Sequence, residues 1–210
     1  EGEVEEAPPL PAAVLETARR QAAGLMQGGA RVLVVRSGQP SEARAVAARV
    51  VAALGARAAF INVEAPRALG PWLWLRGLVP VWPMTLAPGE RRRLPSIAGH
   101  QGPVLVVCGL DGSIEASGAV TQWRVPMPSS AERLTLWRMA LGNDAGAERL
   151  AAEHRHAAGR IAELAQAARS GAARDGEPLR AEHVARVARA GAGADLGALA
   201  ELLPDDIPDD

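Results

Sequence analysis

The chain has 210 residues, 48% of them hydrophobic and 22% charged, with a formal net charge of −1. That balance is ordinary for a globular protein and leaves room for one α/β domain with a helical appendage, while near-neutrality excludes strong steering toward nucleic acid or an anionic membrane. Cys108 is the only cysteine, so no internal disulfide forms, and the most apolar stretch, Pro71 to Pro83, is short, holds Arg76 and is interrupted by proline, which excludes it as a bilayer span.

All the basic residues other than histidine are arginine; lysine and tyrosine are absent. Cys108 lies in an apolar run from Val104, as a buried and inert thiol would. These features fit a reducing cytoplasm. The chain does not open on Met, which reads as a piece of a longer polypeptide. Glu1, Glu3, Glu5 and Glu6 at one end, and Asp205, Asp206, Asp209 and Asp210 at the other, read as solvated tails.

In chain order, Leu10 to Met26 has the periodicity of a helix, stopped by Gly28 and Gly29. Val32 to Val35 is wholly apolar, as in a strand buried on both faces of a parallel sheet. A polar loop, Arg36 to Pro40, leads to a helix expected to start at Ser41 as N-cap and to end at Leu54-Gly55. Ala58 to Val63 is the next strand, so the order is β-α-β and the sheet is doubly wound. A helix over 67–76, a strand from Leu78 to Trp82, a basic helix over 89–98, a strand from Pro103 to Cys108 and a short strand from Trp123 to Val125 complete this part.

After Pro126 and Pro128 the pattern becomes helical only. Ser129 and Glu132 have capping-box spacing, and Leu134, Trp137 and Leu141 line one face before Gly142. Three further helices are expected over about 145–154, 159–169 and 180–190, with a weakly structured exit at Gly191 to Gly197. The organisation read from the sequence is therefore a tail and lead helix (1–30), an α/β domain (31–126), a helical lid (127–192) and an acidic linker (193–210).

The loop after the first strand is where a nucleotide's phosphates would sit. Laid on the template Gly-x-x-x-x-Gly-Lys-Ser/Thr, the residues are Gly38, Gln39, Pro40, Ser41, Glu42, Ala43, Arg44 and Ala45. Gly38 matches. Ala43 replaces the glycine that allows close backbone approach, Arg44 the phosphate-reaching lysine, and Ala45 the hydroxyl that holds Mg²⁺. Pro40 removes an N–H donor. Glu42, in the first helical turn, takes the place favoured by an anion and would repel one. Gly38 and Arg44 remain as a vestigial phosphate loop. The strand ending in Trp82-Pro83 carries no acid to polarise water, and Asp111-Gly112 after the other candidate strand is a turn signal.

Strand, degenerate loop, helix, α/β sheet and four-helix lid in this order resemble an AAA-type ATPase module. The run from Val125 to Arg133 looks like that family's junction into the lid, and Ala158-Gly159-Arg160-Ile161 like its small-Gly-acid turn, with Arg160 where the acid stands. More narrowly, the chain is similar to the degenerate first module of bacterial two-module AAA ATPases, some encoded with contractile injection systems. The resemblance implies a P-loop-like parallel sheet with flanking helices and a small helical lid. It also implies no bound cofactor on this segment, with ATP and Mg²⁺ serving the parent chain, and partners in a following ATPase module and a homo-oligomeric ring. No nucleic-acid or membrane partner is expected. Two other readings are a nucleotide-binding regulatory domain without hydrolysis, and a small-molecule enzyme on a flavodoxin-like or Rossmann-like sheet.

Among the remaining features, His154 and His156 lie two apart, where helical neighbours do not share a face, so no metal pair is expected. His100 and His183 are isolated. Arg91-Arg92-Arg93 reads as a solvated helix face, with contact to an acidic partner or nucleic acid as the alternative, and Trp72, Trp74 and Trp82 read as core packing, with a subunit interface as the alternative.

Overall fold

The computed structural model describes residues 7–28, 31–62, 69–142 and 146–201, with side chains described up to residue 191. The expectations for Gly29, Val63, residues 67, 68 and 145, and the acidic termini lie outside the described residues. Two compact units are present: residues 1–128 with 157–159, and residues 129–156 with 160–210.

The first unit is built on five parallel strands. β1 (Val32–Arg36), β2 (Arg57–Phe60), β3 (Leu78–Met84), β5 (Val104–Cys108) and β7 (Val120–Arg124) are arranged β2-β3-β5-β1-β7. β1 is an interior strand, in register with β5 from Val32↔Val104 and with β7 from Val32↔Val120. All five β1 residues are buried, which is why its sequence does not alternate. Leu33 and Val35 share one face with Val81, Leu105 and Trp123, covered by α1 (Ala12–Met26) and α2 (Pro40–Ala53) through Val14, Ala18, Val46 and Val50. Val34, Val106 and Cys108 lie on the opposite face with Leu69 and Leu73 of α3 (Leu69–Arg76).

The strand order separates the rival folds. In flavodoxin-like and Rossmann-like sheets strands 1 and 2 are neighbours. Here β3 and β5 stand between them, so the chain crosses from β1 to the far edge before winding back.

The basic helix expected over 89–98 is absent. Arg91–Arg93 is instead a short exposed strand, β4, paired in parallel with β6 (Ser113–Glu115). Gly89 takes φ 76° in the preceding turn, where the Glu90 carboxylate accepts the Ala87 N–H. Pro95 would break a helix interior. The Leu94 N–H instead donates to the Glu115 carbonyl. Asp111-Gly112 is the expected turn, and it opens β6, a strand too short to show periodicity. Gly112 has φ 67°, and a Cβ there would lie 2.6 Å from the Leu86 Cβ.

The second unit comprises α4 (Ser130–Leu141), α5 (Gly146–Glu153), most of α6 (Ala158–Asp175) and α7 (Ala181–Glu201). The Ser129–Glu132 capping box is formed in both directions, and Gly142 closes α4 in the left-handed conformation. Trp137, Leu150, Ile161 and Val184 are fully buried. Gly146 approaches so closely that a Cβ would come within 2.1 Å of the Ala181 Cβ. The weakly structured exit expected at Gly191 to Gly197 is instead helical backbone, continuous with α7 to Glu201.

Gly112→Ala adds left-handed strain to a steric conflict and is expected to destabilise the first unit by about 2–5 kcal/mol in urea unfolding. Gly109→Ala, at a position with open space and no positive φ, is the control and leaves the midpoint within about 0.5 kcal/mol.

Candidate functional site

The site begins where β1 ends. β1 lies between β5 and β7, so the loop after Arg36 opens at the C-terminal edge of the sheet, the usual ligand-binding edge of an open α/β sheet. α2 starts at Pro40, with Gln39 as N-cap. This corrects the expected cap at Ser41. Proline suits the first helical position because its missing N–H would be unsatisfied there and its φ is already helical.

Gln39 offers no side-chain cap. The capping role passes to Ser37 and Glu42 acting in series. The Gln39 N–H donates to Ser37 Oγ at 3.0 Å, and the Ser37 hydroxyl donates to Glu42 Oε2. The other carboxylate oxygen, Glu42 Oε1, accepts the backbone N–H of Ala158 at 3.0 Å. Ala158 is the first residue of α6 and, with Ala157 and Gly159, belongs to the first unit. Glu42 is only 2% exposed. One buried carboxylate therefore serves the N-terminal ends of two helices, each carrying partial positive charge and unsatisfied N–H groups.

Gly159 completes the arrangement. A Cβ there would lie 3.0 Å from the Glu42 Cβ, and 3.1 Å from both the Gln39 Cβ and Ser41 Oγ. An anion brought to the start of α2 would meet a carboxylate and closely packed backbone.

The two residues singled out as a vestigial phosphate loop are not brought together on an open site. Gly38 is exposed and has ordinary φ, and a Cβ on it would only touch Leu110 at 3.9 Å. The Arg44 guanidinium stacks on the Phe60 ring at the end of β2, 4.1 Å from its centroid. Ala43 and Ala45 are buried in helix packing. β3 runs two residues beyond Trp82, to Met84, and neither added residue is an acid.

Arg36 is a feature that sequence reasoning missed. It is buried at the end of β1, donating to Gln122 Oε1 and to the carbonyls of Gly109, Asp111 and Gly112 at 2.9–3.0 Å. Asp111 contributes its main-chain oxygen while its residue surface stays exposed, in keeping with a turn role. An arginine closing an otherwise apolar strand was the available signal. Cys108 lies nearby, and burial pushes its thiol pKa up, partly opposed by the Arg36 charge. A raised pKa leaves little thiolate, so the thiol is a poor nucleophile.

In the second unit, α5 ends at Glu153, so His154 and His156 are not on a helix, contrary to the premise of the sequence reading. Their rings stack, with centroids 5.3 Å apart. Among the described residues no group of three or more potential metal ligands occurs. The His156 pKa is lowered by burial, then by His154 and Arg160. Trp82 is buried as expected, but Trp72 and Trp74 are 48% and 83% exposed, which corrects the core reading for those two. α3 turns Leu69 and Leu73 inward, and helical spacing carries residues 72, 74 and 75 outward.

No family model matches the sequence, and no curated protein does. Among solved structures, a point variant of Thermotoga maritima RuvB is similar with a TM-score of 0.51 at 13% identity, covering 88% of this chain and 73% of that one. The Thermotoga maritima RuvB Holliday junction branch migration motor gives a TM-score of 0.48 at 12% identity, covering 86% and 70%. At such identity the likeness concerns the fold alone. The chain has an AAA-type α/β fold, a parallel sheet flanked by helices.

Three outcomes follow from this geometry. Glu42→Ala strands the Ser37 hydroxyl and the Ala158 N–H and is expected to cost about 2–5 kcal/mol in chemical unfolding. Cys108 should react with a thiol reagent only on unfolding, so that its labelling rate tracks urea concentration. A lowered His156 pKa means that the unfolded chain binds the extra proton first. Its contribution to stability is therefore complete above the unfolded value of about 6.5 and is lost as pH falls from there toward the folded value. His156→Gln should flatten that part of the thermal-midpoint profile.

Proposed function

We propose that this chain is a non-catalytic AAA-like module of a larger ATPase, contributing to ring assembly, regulation or partner binding for a following ATPase module. The observation that carries this reading is the buried Glu42 carboxylate at the start of α2. It is held by Ser37 and Ala158 in the first helical turn, where the phosphate-loop template would put an anion. The absence of lysine anywhere in the chain supports it, since no other residue supplies the compact charge that a phosphate loop uses. The module needs no cofactor of its own; ATP and Mg²⁺ belong to the parent chain. The narrower resemblance, to the first module of bacterial two-module ATPases, some encoded with contractile injection systems, supports a cytoplasmic location and a homo-oligomeric ring. No described helix is long and apolar enough to cross a membrane.

Calorimetric titration of ATP–Mg²⁺ into the 210-residue chain tests the proposal. No saturable heat is expected up to about 1 mM, an affinity of only about −4 kcal/mol. Micromolar binding with phosphate release would overturn it. Micromolar binding without turnover, abolished by Arg44→Ala, would replace it with a regulatory nucleotide site.

A further inference from the structure

The loop described above occupies the C-terminal edge of the sheet. At the opposite edge, where β2, β3 and β5 begin, the first unit has a groove of about 680 Å³. Its walls include Leu73 and Trp74 of α3, Gly77 and Leu78 at the start of β3, and His100 and Pro103 before β5. The walls are fixed by close contacts. A Cβ on Gly70 would lie 2.1 Å from the Ala98 carbonyl oxygen, so α3 is seated directly on the backbone of the facing segment. A ring nitrogen of His100, Nε2, lies 3.2 Å from the Pro103 carbonyl.

Three properties of this edge belong together. Its apolar surface is large and uncovered: Trp74 is 83% exposed, with Leu75 beside it at 75%. Three arginines stand beside it. Arg31 donates to Gln101, a groove residue, at 2.9 Å; Arg57 reaches the Arg76 carbonyl; and Arg76 itself closes α3. All three are exposed, and among the described residues none of them is paired with a carboxylate. Among the described residues no Asp or Glu lines the groove.

We propose that this edge is a docking site for an acidic peptide segment of a partner protein, one that places an aliphatic side chain against Trp74 and carboxylates against Arg31, Arg57 and Arg76. The charge complementarity decides the occupant. A basic segment would face three guanidinium groups, whereas an acidic one meets bidentate donors. Trp and Arg together are also the residue types that dominate binding energy where a groove is desolvated. The proposal gives chemistry to the partner-binding role proposed above and rests on it. Its readout does not involve nucleotide, so failure here leaves the ATP result standing, and the reverse.

The test is fluorescence anisotropy of the full 210-residue chain with the labelled peptide Asp-Asp-Ile-Leu-Asp-Glu-Leu-Asp-Asp. Two controls are used: the same peptide with every acid replaced by lysine, and one with every Ile and Leu replaced by serine. The acidic–apolar peptide is expected to bind with a Kd of about 10–100 μM at low salt, and both controls about tenfold more weakly or not at all. Trp74→Ala should weaken binding about tenfold, and Arg57→Glu with Arg76→Glu by at least as much, with circular dichroism unchanged because these side chains are exposed. Equal binding of the three peptides, or none up to about 1 mM, would overturn the proposal. So would self-association in sedimentation that Trp74→Ala abolishes, since a second copy would then be the occupant.

Discussion

The first unit depends on one buried carboxylate held between two helix starts. Glu42 lies in the first turn of α2, accepts the Ser37 hydroxyl on one oxygen and takes the first N–H of α6 on the other. A carboxylate out of water is costly unless it is fully hydrogen-bonded, and two positive helix ends beside it supply the compensation. Each hydrogen bond to a charged group contributes about 1.5–3 kcal/mol. The interaction therefore joins residues more than a hundred positions apart in sequence and fixes the start of α6 against the loop. The same interaction removes the vacancy that an anion-binding loop requires.

Arg36 has the complementary role at the end of β1, directly before Ser37. Its guanidinium gathers three carbonyls from the turn after β5 and the Gln122 amide from β7. Carbonyl dipoles, not a carboxylate, solvate this buried charge. The turn it holds leads into β6, and β6 orders the arginine strand β4 by pairing with it. The C-terminal edge of the sheet is thus occupied by internal partners. The exposed apolar surface of α3 lies at the other edge.

Much of the architecture was legible because it is local. The apolar run at Val32, the capping box at Ser129 and Glu132, and Gly142 after α4 each depend on a few neighbouring residues and a known backbone requirement. The departures at Ala43, Arg44 and Ala45 could be read from identity alone. The errors share a different cause. Arg91–Arg93 has helical propensity, but Gly89, Pro95 and a partner strand outweighed it. Ser41 is a good cap in isolation, but Pro40 claimed the first helical position. Trp72 and Trp74 are hydrophobic by type, yet the α3 phase set by Leu69 and Leu73 turns them to solvent.

The sequence by itself determined that this is a parallel α/β sheet followed by helices, with Ala43, Arg44 and Ala45 in the helix after the first strand and no lysine anywhere. Those properties follow from periodicity, caps and side-chain chemistry, all short-range. Only the tertiary structure decided that β3 and β5 separate β1 from β2, that Arg44 stacks on Phe60, and that Glu42 holds the first N–H of α6. Each of these joins segments distant in the chain. Their geometry is set by burial and by satisfaction of polar groups across the whole unit, which no local pattern encodes.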